Sequence, residues 1–242
     1  MPNHHLTDSW LLDYAAGSTA EAQGLLVATH LALCAPCRLR IKEYEALGGA
    51  LLDELPPTPL SPSAGDRLQQ ALQTLEAAPA ASPTATSRTA APAASAPDPA
   101  PPRRRGPKVF SRPLAVSLPG PLRPYVHGRL EELRWRRLKE GLSEAELPLP
   151  TDGPRTRLLL LQAGATIPRH AHKGTEGVLV LSGGLSDRER HMRRGDVMIC
   201  DDSVIHDNVA DPDEDCLSLV VTEGPIRLTG ALGGLISLVK KL

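Results

Sequence analysis

The sequence predicts a multidomain protein, with an all-α helical domain at the N-terminus and an all-β barrel or sandwich at the C-terminus. Three observations carry this expectation. Up to residue 55 the apolar residues recur at helical spacing, interrupted by Gly and Pro stops. Residues 78–108 are mostly Ala, Pro, Ser and Thr with almost no large apolar side chain, so they can bury too little to order themselves and read as a linker. Beyond them, short apolar runs alternate with Gly, Pro and Asp signals at intervals typical of antiparallel β folds. The expected domains are 1–77, 78–108 and 109–242.

The N-terminal elements follow from their caps and stops. Thr7 or Asp8 caps a helix over residues 9–16 that carries Trp10, Leu11 and Tyr14 and stops at Gly17. Ser18 or Thr19 caps a second over 20–33, with Glu21 in its first turn and Leu26 and Leu33 on the face to be buried. A third, over 36–52, offers Leu39, Tyr44, Leu47 and Leu51 as contacts. Three short helices make a small core that benefits from a staple.

His30, Cys34 and Cys37 supply that staple, because their spacing of four and then three places them on one helical face. Pro36 restricts Ala35 and suits a first helical turn, so the predicted local structure is an elbow, one helix ending near Cys34 and the next beginning. Two thiolates and an imidazole suit zinc, and a closed tetrahedral site needs a fourth ligand, for which His4 and His5 are candidates. The bland alternative is a buried or redox-active cysteine pair with His30 packed beside it.

Pro56, Pro57, Pro59 and Pro62 then break the chain, and residues 65–77 form a separate amphipathic helix with Leu68, Ala71, Leu72 and Leu75 on one face. Such a helix either folds back on its own domain or receives a partner. Arg103, Arg104 and Arg105 at the end of the linker read as a solvated run. In the second half the predicted strands are 157–162, 177–181, 196–200, 204–206 and 216–222, with a hairpin turn at 182–184. Residues 130–138 fit either a helix or, from Trp135, an entering strand. His127 and His191 read as surface residues, and Cys200 and Cys216 as buried packing.

Composition excludes several functions. A net charge of −1 provides no global field for nucleic acid or acidic membrane, and 2% aromatic content leaves no stacking platform for bases. The first ten residues have neither the basic nor the apolar region of a secretory signal, and the apolar run 231–239 falls short of the ~20 residues that span a bilayer. The expected setting is the cytoplasm, where paired cysteines point to metal or redox chemistry.

The most specific string spans Gly164 to Gly183. On a strand His170 and His172 point to one face, Glu176 comes from the adjoining turn, and His206 from a later strand closes a set of three imidazoles and a carboxylate. That set suits zinc, iron, manganese or nickel. Gly164, His170, His172, Glu176 and Gly183 match the first cupin motif at every fixed position, so the β domain resembles a cupin (jelly-roll) barrel. The second motif keeps Gly195 and His206, while Asp201 and Ser203 stand where the family usually has Pro and Gly, and Asn208 is nearer the histidine than expected.

An HxxxCxxC helix, a linker and one cupin together resemble the ChrR family of zinc-dependent anti-sigma factors, and residues 14–17 and 27–30 read like that family as well. The resemblance implies zinc held by His5, His30, Cys34 and Cys37, with His5 favoured over His4, and a second metal, zinc again, at His170, His172, Glu176 and His206. It implies an extracytoplasmic-function (ECF) sigma factor as partner. The helices, with Leu68, Leu72 and Leu75 facing that partner, would clamp between its two polymerase-binding domains and occlude them. Release on a stress signal such as singlet oxygen or organic hydroperoxide would be sensed by the cupin, or by oxidation of Cys34 and Cys37 with zinc ejection. Cupins commonly dimerise, so a homodimer through the barrel is a further expectation. The rival reading is a metal-dependent cupin enzyme, a dioxygenase or isomerase, with the zinc domain as an accessory.

Overall fold

Apolar runs such as 158–161, 178–181 and 219–221 leave no polar face on their strands, so both sides of the sheet that contains them must be covered. The computed structural model, which describes residues 2–77, 116–126, 129–150 and 153–228, has that arrangement. One sheet of six antiparallel strands is ordered β1-β2-β3-β10-β5-β8: β1 Arg136–Lys139, β2 Leu142–Glu146, β3 Arg155–Leu161, β10 Cys216–Thr222, β5 Glu176–Ser182 and β8 Val197–Cys200. The other is ordered β11-β4-β9-β6-β7: β11 Ile226–Leu228, β4 Thr166–His172, β9 Ile205–Ala210, β6 Gly184–Ser186 and β7 His191–Arg193.

The inward face of the six-stranded sheet contributes Leu159, Leu161, Val178, Val180 and Val220 to a core shared with Leu185, Met192 and Ala210 of the other sheet. Its outward face, with Leu158, Leu160, Leu179, Leu181, Leu217 and Leu219, is covered by the N-terminal helices. Those helices are α1 Asp8–Ala15, α2 Glu21–Leu33 and α3 Ala35–Asp53. Leu11, Ala22, Leu25, Leu26 and Val27 lie in that second core, so α1 and α2 rest on the sheet rather than only on each other. Among the described residues, those of Met1–Ala50 and Arg105–Leu242 form one compact unit, and those of Leu51–Arg104 another, which contains α4, Ala64–Ala77. The linker, the Arg run 103–105, His127 and the apolar run 231–239 lie wholly or mainly outside the described residues.

The elbow forms where the sequence predicts it. Cys34 adopts an extended conformation (φ −114°, ψ 106°) and ends α2, and Pro36 sits in the first turn of α3. Gly17 ends the first helix region at φ +69°.

Other details differ. The N-cap of α2 is Ala20, with no side-chain cap, because the Ser18 hydroxyl donates instead to the Asp13 carbonyl at 3.0 Å. Leu39, Leu47 and Leu51 are exposed, leaving only Cys37 and Ile41 of α3 buried; the helix touches the core through the face that carries the cysteine. Residues 182–184 are not a hairpin. They carry the chain from the six-stranded sheet to the other, and Gly183 is required there, with φ +74° and a Cβ position that would run into the Asp215 backbone. Residues 130–138 divide between a 3₁₀ turn at Leu130–Glu132 and β1, with the buried Trp135 indole donating to the Leu130 carbonyl at 2.7 Å.

Two candidate metal centres

The elbow between α2 and α3 brings Cys34 and Cys37 to the last turn of α2, where His30 points, and the extended segment before α1 lays His5 over them. The four potential ligand atoms lie within 4.8 Å of one another. His5 Nδ1 is 3.2 Å from Cys34 Sγ and 3.7 Å from Cys37 Sγ, and His30 Nε2 is 3.2 Å from Cys37 Sγ. His30, Cys34 and Cys37 are buried and His5 is exposed.

His4 is not in the cluster. Its ring is 3.6 Å from the Asp196 carboxylate on the barrel, which leaves His5 as the nearby histidine. The tautomer of His30 follows from geometry, since its Nδ1 lies 2.9 Å from the Gly195 carbonyl and a carbonyl can only accept. Nε2 therefore presents its lone pair to the cluster. Burial holds the His30 imidazole neutral, with a pKa lowered to about 4, and burial with the neighbouring Cys34 pushes the Cys37 thiol up to about 11. This donor set fits a borderline-soft divalent cation, whose charge would favour the thiolates and offset the cost of burying them.

The second cluster is built by strand register. His170 and His172 lie two apart on β4, His206 sits opposite His170 on β9, and Glu176 opens β5. All four are buried, and their ligand atoms also lie within 4.8 Å of one another. The Glu176 carboxylate is 2.9 Å from His172 Nε2 and 3.5 Å from His206 Nε2, and those two nitrogens are 2.9 Å apart. His170 Nδ1 donates to the Pro168 carbonyl at 2.8 Å, so its Nε2 is free to act as an acceptor. Burial lowers the pKa of His170 to about 4 and lowers that of His206. Burial works against charge on Glu176, but His172, His170 and Arg157 outweigh it and hold the carboxyl below its usual range. The lowered pKa values of His170 and His206, with an ionised Glu176 beside them, keep donor lone pairs and a negative charge available to a metal ion.

The sequence matches the profile of the ChrR cupin-like domain over residues 125–226. It is 36% identical to the anti-sigma-E factor ChrR of Cereibacter sphaeroides over 238 residues, covering 96% of this chain and 95% of that protein. This chain belongs to the ChrR family of anti-sigma factors. A solved relative is ChrR in the crystal structure of Rhodobacter sphaeroides SigE in complex with the anti-sigma ChrR, at 32% identity and TM-score 0.68, covering 91% of this chain and 99% of that one.

In this ChrR-family chain the two sets of four sequence-predicted residues converge as two separate clusters, while Leu68, Leu72 and Leu75 are exposed on α4. Cys200 and Cys216 are buried, as expected, with Cys200 Sγ 3.8 Å from His206 Nδ1. Sequence reasoning missed Asp196 as anything but a strand residue. It also missed the Gln23 amide, which donates to Glu223 at 2.9 Å and so links α2 to the turn before Glu176 through the Thr175 N–H on the same carboxylate. No described helix is long and apolar enough to cross a membrane.

Proposed function

We propose that this chain binds an ECF-type sigma factor in the cytoplasm, occludes its polymerase-binding surfaces, and releases it when the barrel receives an oxidative signal. The observation that carries the reading is likeness over nearly the whole chain, helices and barrel together, to a protein solved in complex with a sigma factor. A catalytic barrel with an accessory domain would not require that joint likeness, so a regulatory rather than enzymatic role follows.

In this reading residues 1–77 grip the partner, 78–108 tether, and 109–242 sense. Zinc is held by His5, His30, Cys34 and Cys37, and a second divalent metal, zinc on the same grounds, by His170, His172, Glu176 and His206. The exposed Leu68, Leu72 and Leu75 form the apolar stripe of α4 and suit a partner's groove at i, i+4, i+7 spacing.

The test is co-expression with small sigma factors from the same genome. A stable complex with one of them is expected, and failure of every sigma factor to bind overturns the proposal. Replacing Leu68, Leu72 and Leu75 by polar residues should weaken the complex by at least tenfold, since buried anchors commonly exceed ~1 kcal/mol each. Circular dichroism should be unchanged, and undiminished affinity would remove α4 from the interface.

A further inference from the structure

The geometry points to Gly195 and Asp196, in the turn between β7 and β8 of the barrel, as positioning residues of the cysteine-containing metal centre. The inference rests on the metal reading of that cluster. It assigns part of the centre's support to the barrel, far from the cluster in sequence.

Three contacts converge on this turn. The Asp196 carboxylate, whose residue is 1% exposed, accepts from the backbone N–H groups of Asn3 and of His4, the latter at 2.9 Å. The Val197 N–H donates to the His4 carbonyl at 3.3 Å, so the segment before α1 is fastened along the edge of the sheet at β8. Its next residue is His5. One position before Asp196, the Gly195 carbonyl accepts from His30 Nδ1 at 2.9 Å. Two neighbouring residues thus hold both histidines of the cluster, one through the backbone leading to it and the other through its ring.

The turn has been shaped for close approach. Gly195 has φ +92°, and a Cβ there would lie 2.8 Å from Pro2 Cγ and 3.4 Å from Leu33 Cβ. Asp196 also accepts from the Arg193 N–H at 2.8 Å, which closes the turn on itself. These bonds hold the segment on one side of His5, an exposed residue with no helix of its own, while the buried Leu6 anchors it on the other. The turn leads directly into β8, whose last residue, Cys200, pairs with Glu176 of the second cluster. One strand of four residues therefore spans the distance from the first centre's support to the second centre.

The experiment is cobalt(II) titration of the full chain, with zinc competition. The near-ultraviolet sulfur-to-cobalt band reports only the thiolate centre, because the barrel cluster contains no cysteine. Asp196→Ala should lower affinity at that centre by about tenfold, the low end of the effect of removing an outer partner of a metal ligand, because its bonds reach His5 only through the backbone of Asn3 and His4. Asp196→Asn should fall between it and the wild type. Deleting Pro2 and Asn3 removes the Asn3 donor and the Pro2 contact at Gly195 while leaving the His4 bonds and every barrel residue intact. It should therefore weaken binding to a smaller extent, and it supplies the test if Asp196→Ala fails to fold. Wild-type affinity and band intensity in a folded Asp196→Ala and in the deletion would overturn the positioning role. Absence of the band from the wild-type protein would instead overturn the metal reading on which it rests.

Discussion

At the scale of single residues, burial separates side chains that look alike in sequence. Leu26 and Leu39 both lie on helices near the cysteines, yet Leu26 is wholly buried and Leu39 is 65% exposed. Leu26 reaches the barrel at Gly177, where a Cβ would come within 2.9 Å of Leu26 Cδ1. Leu26→Ala should therefore destabilise the protein by about 2–5 kcal/mol in chemical denaturation, as for other large-to-small changes at fully buried sites. A cost below ~0.5 kcal/mol, the range of surface substitutions, would contradict the packing of α2 on the sheet. The two histidines at positions 4 and 5 are both eligible ligands by residue type, and in the sequence only the family resemblance favours His5. What divides them is the position of Asp196, 192 residues away from His4.

At the scale of elements, helical period, the Gly17 stop and Pro36 were sufficient to place α1, α2 and α3 to within a residue or two. Their burial was less legible. Taken alone, three short helices need a metal staple, but α2 gains a second source of stability from the leucines of β5 and β10. Removing metal with a chelator should thus release the segment of His4 and His5 and loosen the elbow while the centre of α2 persists. Hydrogen exchange should quicken at residues 3–6 and 34–37 and stay slow at 25–29. Loss of all helical signal on chelation would mean that the metal alone holds the helices. Among the strands, the continuous apolar runs were visible, β1 was one of two readings of residues 130–138, and the short β6 and β7 were not visible, because their alternation is too brief to rise above loop composition.

For the whole molecule, the consequence of these contacts is that the helices and the barrel share a core, so the two candidate centres belong to one compact unit. If the barrel receives the signal, its ligands are needed for release and not for binding, because a stimulus can act only through states that differ in their affinity for the partner. His206→Ala should keep the sigma complex in unstressed conditions and lose its dissociation on exposure to organic hydroperoxide, followed by size-exclusion chromatography. Normal release by this variant would shift the sensing role to the thiolate centre, where Cys34 and Cys37 are the oxidisable groups.

The amino-acid sequence by itself indicated His30, Cys34 and Cys37 of one candidate cluster, His170, His172 and Glu176 of the other, the elbow and the β class of the second half. Each depends on spacing within a few residues: four and three along a helix, two along a strand, and a Pro or Gly at a fixed offset. Tertiary structure alone decided that α1 and α2 cover the outer face of the six-stranded sheet and that Gly195 and Asp196 hold the histidines. It also set His5 rather than His4 in the cluster, a choice that the family resemblance favoured and local pattern left open. Those outcomes rest on contacts between residues as much as 165 and 193 positions apart, and no local period records which distant surface a buried face will meet.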